Sequence, residues 1–423
     1  MKKIYTFLFI IFMFIISCGN KVTSPNDGTI TYYDPNNAIV KTYSYSINDA
    51  KTDNMIATEG AFKKIAESAN AIIYVEESQV DKGITKESIL SFVREFENYL
   101  PREIEVYGEI PDFDGNGKVI FLMANLNTNE TTSKLGGYFS ASDLIFGKYG
   151  VPGEYLYINV PTDDNTAGLM IHELQHLINY YNNAMQGKAM DIWLNEALSE
   201  STSHIFSPTI TDSRKNYFNS NTYYSFYSWY LKYTDNTSVF SPNHILISYA
   251  SSSMFMKWLD TKTGGNFNIY KEIAHSDPSL TSEERLINVL SKYNLGSDLN
   301  TILFNWIEGI NNGDIQGLNI GVIDPTDTNF NKSGTIPLLP KSLVLYSTAD
   351  NTQITSGGKL LTRDLGQGLS VVINTSVNQQ AGTANTADVE NLTINKAANL
   401  NSSIKYQRAN LTDRVYYIDK VID

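Results

Sequence analysis

Two histidines four residues apart are the first sign of chemistry in this chain. His172 and His176 lie in the run Leu169 to Glu200, LMIHELQHLINYYNNAMQGKAMDIWLNEALSE. On an α-helix that spacing stacks two side chains on one face, so both imidazoles can meet one metal ion. Glu173 sits beside them. A zinc ion that performs catalysis takes three protein ligands and keeps one position for water, so a third donor must come from further along the chain. Glu196 is the candidate, with nineteen residues between it and His176. That interval lets one helix end, a loop turn at Gln186-Gly187-Lys188, and a second helix through Trp193, Leu194, Ala197 and Leu198 return the carboxylate. The expected cofactor is a single Zn2+. Two satisfied core or surface histidines would be the ordinary alternative. Only five histidines occur in the whole chain, and an HExxH arrangement followed by a usable Glu is a rare accident.

The elements that must carry these residues can be read around them. Met170, Leu174, Leu177 and Ile178 give the metal helix a buried face, with Asp163, Asp164 and Asn165 as its caps. Upstream, Ala61 to Ala69 reads as a short helix, and Ala71 to Val75 as a strand. Thr85 caps a helix whose stripe is Ile89, Phe92, Val93, Phe96 and Leu100. Asp112-Phe113-Asp114-Gly115-Asn116-Gly117 imitates the start of a calcium-binding loop. Its twelfth position is Met123 instead of Glu, so a tight turn before the strand Val119 to Met123 is expected. Tyr155 to Asn159 is a further strand, just ahead of the metal helix. Helical patterns follow at Ile269 to Ala274, Glu283 to Tyr293 and Ile302 to Ile310. From about Leu318, strands at Leu343 to Tyr346, Leu369 to Ile373, Val389 to Ile394 and Val415 to Ile418 alternate with Asn, Thr, Gly and Ser.

HELQH followed by NEALSE resembles the gluzincin metallopeptidases. A narrower resemblance, to the hyicolysin-type metallopeptidases, spans roughly residues 53 to 265 in the order AIIYV, SFVREFENYL, DFDGNGKVIFL, GGYF, EYLYIN, HELQHLINYY and WLNEALSE; only the HELQH and WLNEALSE pieces are specific. The resemblance implies zinc-dependent hydrolysis of peptide bonds, with His172, His176 and Glu196 as ligands and Glu173 as the base acting on water. Glu200, one turn beyond Glu196, is expected to accept a hydrogen bond from the outer nitrogen of His172; thermolysin-like relatives carry Asp there. The metzincin pattern is excluded because Asn179 and Asn182 stand where it needs Gly and His. No GxMEN element is present, which favours an endopeptidase over an exopeptidase. In this architecture an edge strand near the metal helix pairs with an extended substrate. The donor for the developing oxyanion is sought among His204, His244 and Tyr249, with Tyr249 preferred as preceding a helix over Ser252 to Leu259.

The first residues place the protein. Lys2 and Lys3 precede the apolar run Phe7 to Ile16, which is too short to cross a bilayer and reads as the core of a signal peptide. Ile15-Ile16-Ser17-Cys18 resembles a bacterial lipobox with Cys18 as the lipidated residue, and Cys18 is the only cysteine in the chain. The expectation is an exported lipoprotein whose membrane contact is this anchor. A formal charge of −13 argues against nucleic acid as a partner, since phosphate binding needs a basic face. Protein or peptide substrate is the expected partner. The expected architecture is α+β: a signal peptide over residues 1–17, a lipidated linker over 18–52, a zincin-type domain of mixed sheet and helical lobe over 53–317, and a small all-β domain of sandwich type over 318–423. The competing functional reading is a surface binding lipoprotein that keeps such a fold without turnover.

Overall fold

The computed structural model describes residues 30–49, 54–82, 84–128, 133–148, 151–160, 166–229, 244–323, 335–348, 353–355, 358–377, 390–395 and 416–422. Cys18, the signal segment and the expected caps Asp163, Asp164 and Asn165 lie outside them.

The N-terminal half is built on one twisted mixed sheet. Its strands are β1 (Thr31–Tyr32), β2 (Val40–Asp49), β3 (Asn54–Glu67), β4 (Ala71–Glu76), β5 (Val119–Ala124), β6 (Asn127–Thr128), β7 (Ser133–Ser140) and β8 (Tyr155–Asn159). Strands β4, β5 and β8 run parallel at its centre. They are apolar on both faces, as central parallel strands are. One face, with Ile73, Val75, Phe121, Met123, Leu156 and Ile158, belongs to the same core as the helices. The other carries an aromatic layer of Tyr43, Tyr45, Phe62, Tyr74, Tyr138, Tyr155 and Tyr157. The sheet curls over this layer. Tyr43 reaches the Tyr155 ring at 6.0 Å between centroids, and the Ser46 amide donates to the Tyr138 hydroxyl at 2.7 Å.

Two expectations change here. Residues 61–69 do not form a helix, because β3 runs through them and pairs with β2 from Val40↔Lys63 to Asp49↔Asn54. A bulge between Lys64 and Ala66 places consecutive residues Ile65 and Ala66 in the core shared with the helices, while Phe62 is buried in the aromatic layer on the other face. The resulting i, i+3, i+4 burial imitates a helix in the sequence. The stretch read as a tether over residues 18–52 likewise contains β1 and β2, so the sheet begins ahead of residue 53.

Helix α1 (Lys86–Tyr107) starts at the expected Thr85, whose side chain exchanges capping hydrogen bonds with Ser88, and it buries the predicted stripe against the sheet. After the short α2 (Ala141–Ile145) come α3 (Thr166–Asn179), α4 (Ile192–Phe206) and α5 (Pro208–Asn219), and then β9 (Tyr223–Tyr224). A second group of helices follows: α6 (His244–Lys262), α7 (Asn268–Ala274), α8 (Ser282–Ser291) and α9 (Leu299–Asn311). Tyr249 therefore lies inside a helix and does not precede one. The expected helix over Ser252 to Leu259 is part of α6, which starts earlier, and Ser248, Ser251, Ser252 and Ser253 along it are all buried. Such small side chains let α6 approach its neighbours closely.

The remaining strands are β10 (Val322–Ile323), β11 (Thr335–Leu338), β12 (Leu343–Ser347), β13 (Gln353–Thr355), β14 (Leu360–Gly366), β15 (Leu369–Asn374), β16 (Glu390–Asn395) and β17 (Tyr416–Ile422). Two small sheets, β10-β12-β15-β14 and β11-β16-β13, share a core that includes Ile336, Leu338, Val344, Val372 and Leu392. A small all-β domain of sandwich type was expected over 318–423; among the described residues its strands are tied to the rest of the chain. Strand β9 joins β12, the inner residues Leu343, Leu345, Val371 and Ile373 belong to the main core, and β17 pairs in parallel with β7 at the edge of the N-terminal sheet.

Candidate metal centre

Helices α3 and α4 face each other, and the side chains singled out in the sequence meet between them. His172 Nε2 and His176 Nε2 are 3.2 Å apart, and Glu196 Oε2 lies 3.4 Å from the first and 3.6 Å from the second. Three atoms each bound at 2.0–2.2 Å to a tetrahedral zinc ion stand about 3.3–3.6 Å from one another. The triangle therefore has the size that zinc requires. All three residues are buried, and neither Glu196 oxygen has a hydrogen-bond partner. Burial alone pushes the Glu196 carboxyl up, but the adjoining imidazoles, His176 foremost, bring it down to about 2. An ionised carboxylate and two imidazole nitrogens gathered within 3.6 Å of one another fit a divalent cation.

The outer nitrogen of each imidazole is also engaged. His176 Nδ1 lies 2.9 Å from Ser199 Oγ, and that hydroxyl donates to Gln175 Oε1. With its own proton committed to Gln175, Ser199 accepts from Nδ1, which leaves Nε2 bare for the metal. Glu200 Oε1 is 3.6 Å from His172 Nδ1, near the expected partner but longer than a hydrogen bond. Glu200 is gripped from the far side by Arg214, whose Nε and Nη2 donate to its two oxygens at 2.8 and 2.9 Å. Ser199 and Arg214 were missed in the sequence. Ser199 is one turn beyond Glu196 on the same helix, a legible signal; Arg214 on α5 gave none.

Glu173 is fully buried between the imidazoles and the sheet. Strand β7 passes beside it at Gly137, where a Cβ would lie 2.8 Å from the Tyr157 carbonyl oxygen and 3.3 Å from Glu173 Cγ. Only a residue without a side chain fits between the strand and that carboxylate.

Tyr249 reaches the site's edge. Its ring is 6.3 Å from that of His172, meets Trp229 edge-on at 4.9 Å, and carries the Arg214 guanidinium at 4.8 Å. His204 does not join the site. Its Nδ1 bonds the Tyr270 hydroxyl at 2.7 Å and its Nε2 the Ser253 hydroxyl at 3.1 Å, and burial drives its pKa down to about 3. It is a neutral core histidine. His244 is the first residue of α6, and its side chain lies outside the described residues.

The loop between the two metal-bearing helices is held by side chains the sequence did not flag. Buried Arg285 on α8 donates to Asn183 Oδ1 at 2.5 Å, to the Lys188 carbonyl at 2.7 Å, and to the Pro278 and Leu280 carbonyls. Asn183 passes this on to Asn179 at 2.8 Å, and Asn179 to Asn195 at 2.6 Å, next to Glu196. Asn179 and Asn182, which exclude the metzincin pattern, thus have structural roles; Asn182 donates to the Glu109 and Ile178 carbonyls.

Helices α3 and α4 thus present a donor set that a zinc ion takes, and part of the chain is similar to a known metalloprotease. No family model matches the chain. The neutral metalloprotease ShpI of Staphylococcus hyicus is 30% identical over 232 residues, which cover 50% of this chain and 50% of that protein. The chain thus spans about half the length of the curated relative it matches. An M1 zinc metallopeptidase from Deinococcus radiodurans, known from a crystal structure, overlaps 64% of this chain and 52% of its own, with a TM-score of 0.33 and 8% identity.

Proposed function

We propose that the protein is an exported, lipid-anchored zinc endopeptidase that hydrolyses peptide bonds in protein or peptide substrates. The observation that carries this is the triangle of His172 Nε2, His176 Nε2 and Glu196 Oε2, with edges of 3.2, 3.4 and 3.6 Å, beside the buried Glu173. These three residues would hold the ion. When bound, zinc supplies Lewis acidity and a water of lowered pKa.

The chain's own residues do the rest. Glu173 takes the proton of the attacking water and returns it to the leaving amine, acting as base and then as acid. Ser199 and Glu200 orient the imidazoles. Arg214 holds Glu200 in place and keeps its charge balanced. An extended substrate would be held by main-chain pairing, which suits many sequences because such pairing is indifferent to side chains; β7, which runs past Glu173 at Gly137, is itself paired on both sides, by β8 and by β17. Tyr249 is assigned the oxyanion donor, supported by its ring lying next to His172. Endopeptidase action follows from the missing GxMEN element, and the anchor from Cys18 in its lipobox setting. An intact mass of membrane-extracted protein would show a diacylglycerol-modified Cys18 at the mature N-terminus; an unmodified chain starting elsewhere removes the anchor.

The test of the reaction is Glu173→Gln, scored for zinc content and for cleavage of an unfolded protein. Zinc should remain near one per chain, while cleavage falls by about 10²–10⁴-fold. Undiminished cleavage in the variant, or a zinc-loaded wild type that cuts nothing, would overturn the proposal; the second result would favour a binding lipoprotein.

A further inference from the structure

A second group of oxygen donors lies away from the zinc triangle, where α1 leads into β5. We propose that Asp112, Asp114 and Glu154 form a calcium site. Their carboxylates offer oxygens that all lie within 4.8 Å of one another. Two oxygens on opposite sides of one calcium ion, each bound at 2.3–2.6 Å, can stand up to about 5 Å apart. The donors are all hard oxygens, the set that calcium selects over zinc.

The loop has the form such an ion needs. Asp112, Asp114 and Asn116 alternate, and Gly117, at the sixth position, takes φ +68°. The Gly117 amide donates to Asp112 Oδ1 at 3.0 Å, and Asn116 closes the turn by donating to Asp114 Oδ2 at 2.6 Å and accepting from the Lys118 amide at 2.6 Å. The sequence argues against calcium because Met123, buried in β5, occupies the position where a loop of this kind carries its last carboxylate. In the folded chain Glu154, just ahead of β8, brings a carboxylate to the group from elsewhere in the sequence.

Glu154 is the independent sign of a ligand. The residue is 0% exposed, and its Oε2 has no hydrogen-bond partner, whereas Oε1 accepts from the Phe113 amide at 2.8 Å. A buried carboxylate oxygen beside two further acids is costly unless a cation completes it. The neighbouring lysines are committed elsewhere. Lys118 Nζ donates to Glu67 and to the Ser68 carbonyl, each at 2.7 Å, and the Lys41 amine lies over the Tyr74 ring, 5.5 Å from its centroid, acting on Asp114 by charge without a hydrogen bond to it.

The site would brace the metal helix from behind. Phe113, inside the loop, meets Tyr181 edge-on at 5.9 Å, and the nearby Glu109 carbonyl accepts from Asn182 at 3.1 Å. Both partners follow directly on α3. This inference does not depend on the peptidase reading.

The test uses the full chain with free zinc held constant. Terbium, a luminescent stand-in for calcium, should bind and be sensitised by Tyr155, since Tyr155 and Asp114 both border Gly153. Calcium should displace it, and an equal concentration of magnesium should not. Asp114→Asn and Glu154→Gln should each weaken binding at least about tenfold. Saturating calcium should raise the Tm of the wild type by about 3 °C and leave that of Glu154→Gln unchanged. Without calcium, Glu154→Gln should melt no lower than wild type, because it removes a buried charge. If Glu154→Gln does not fold, Asp114→Asn, at a partly exposed position, carries the same comparison. Absence of calcium-displaceable terbium emission in the wild type, or binding equally tight in a folded variant, overturns the site whatever the zinc centre does.

Discussion

Gly137 gives the sharpest test of how the sheet and the reacting carboxylate are fitted together. In Gly137→Ala the added Cβ would lie 2.8 Å from the Tyr157 carbonyl oxygen and 3.3 Å from Glu173 Cγ. Ordinary van der Waals contact begins near 3.4 Å, so about 0.6 Å must be found against the carbonyl. That carbonyl belongs to β8, which is paired with β5 on one side and β7 on the other, and it cannot swing away. Strand β7 or the Glu173 side chain must yield instead. Forcing a methyl into a packed interior costs about 1–3 kcal/mol. A displacement approaching 1 Å at a reacting group costs up to about 100-fold in rate. We expect kcat to fall about 10–100-fold, with Tm lowered and zinc stoichiometry unchanged, since none of the three metal ligands is among the nearest atoms to that Cβ. Gly358→Ala, where a Cβ meets nothing within 4 Å, is the control and should keep full activity. Steady-state cleavage, metal analysis and calorimetry on both variants decide the matter. A Gly137→Ala enzyme within twofold of wild type would refute the argument that β7 and Glu173 are in mutual contact.

Two further outcomes follow from buried charge. Arg214→Ala leaves Glu200 without its bidentate partner in an interior position, which should cost about 3–5 kcal/mol by chemical denaturation and weaken zinc about 10–100-fold through His172; unchanged zinc affinity would sever Glu200 from the metal site. Glu103 on α1 is fully buried with neither oxygen hydrogen-bonded, and burial raises its carboxyl well above the ordinary 4.5. A raised carboxyl contributes stability that is complete below 4.5 and lost as pH rises through the folded value, so the Tm advantage of Glu103→Gln over wild type should grow from pH 4.5 upward. A difference that stays flat between pH 4 and 8 would show that Glu103 is not held protonated.

What could be read in advance divides along physical lines. The metal triangle was legible because helical spacing is rigid: His172 and His176 must share a face, and Glu196 sits on the one helix that can return to them. The capped stripe of α1 and the strands β4, β5 and β8 were legible because their burial follows a single period. Strand β3 was not, since its bulge puts Ile65 and Ala66 on the same side and counterfeits a helix. The first turns of α6, ahead of the expected Ser252 to Leu259, were hidden by serines that are unfavourable in isolation and useful only where a neighbouring helix comes close. Long-range partners left no local trace. Nothing near residue 200 announces Arg214, nothing near Met123 announces Glu154, and only the folded sheet shows β17 against β7.

The grip of Arg285 on the segment between α3 and α4 has a consequence for metal capture. Because Asn183, Lys188 and Asp191 are each tied to α8 or its flanks, the two helices are docked by bonds that involve no metal ligand. An arriving ion therefore finds its coordination polygon already drawn and has mainly its own hydration to shed. Selectivity among divalent ions is then a matter of fit to edges set in advance, which a pliable loop could not impose.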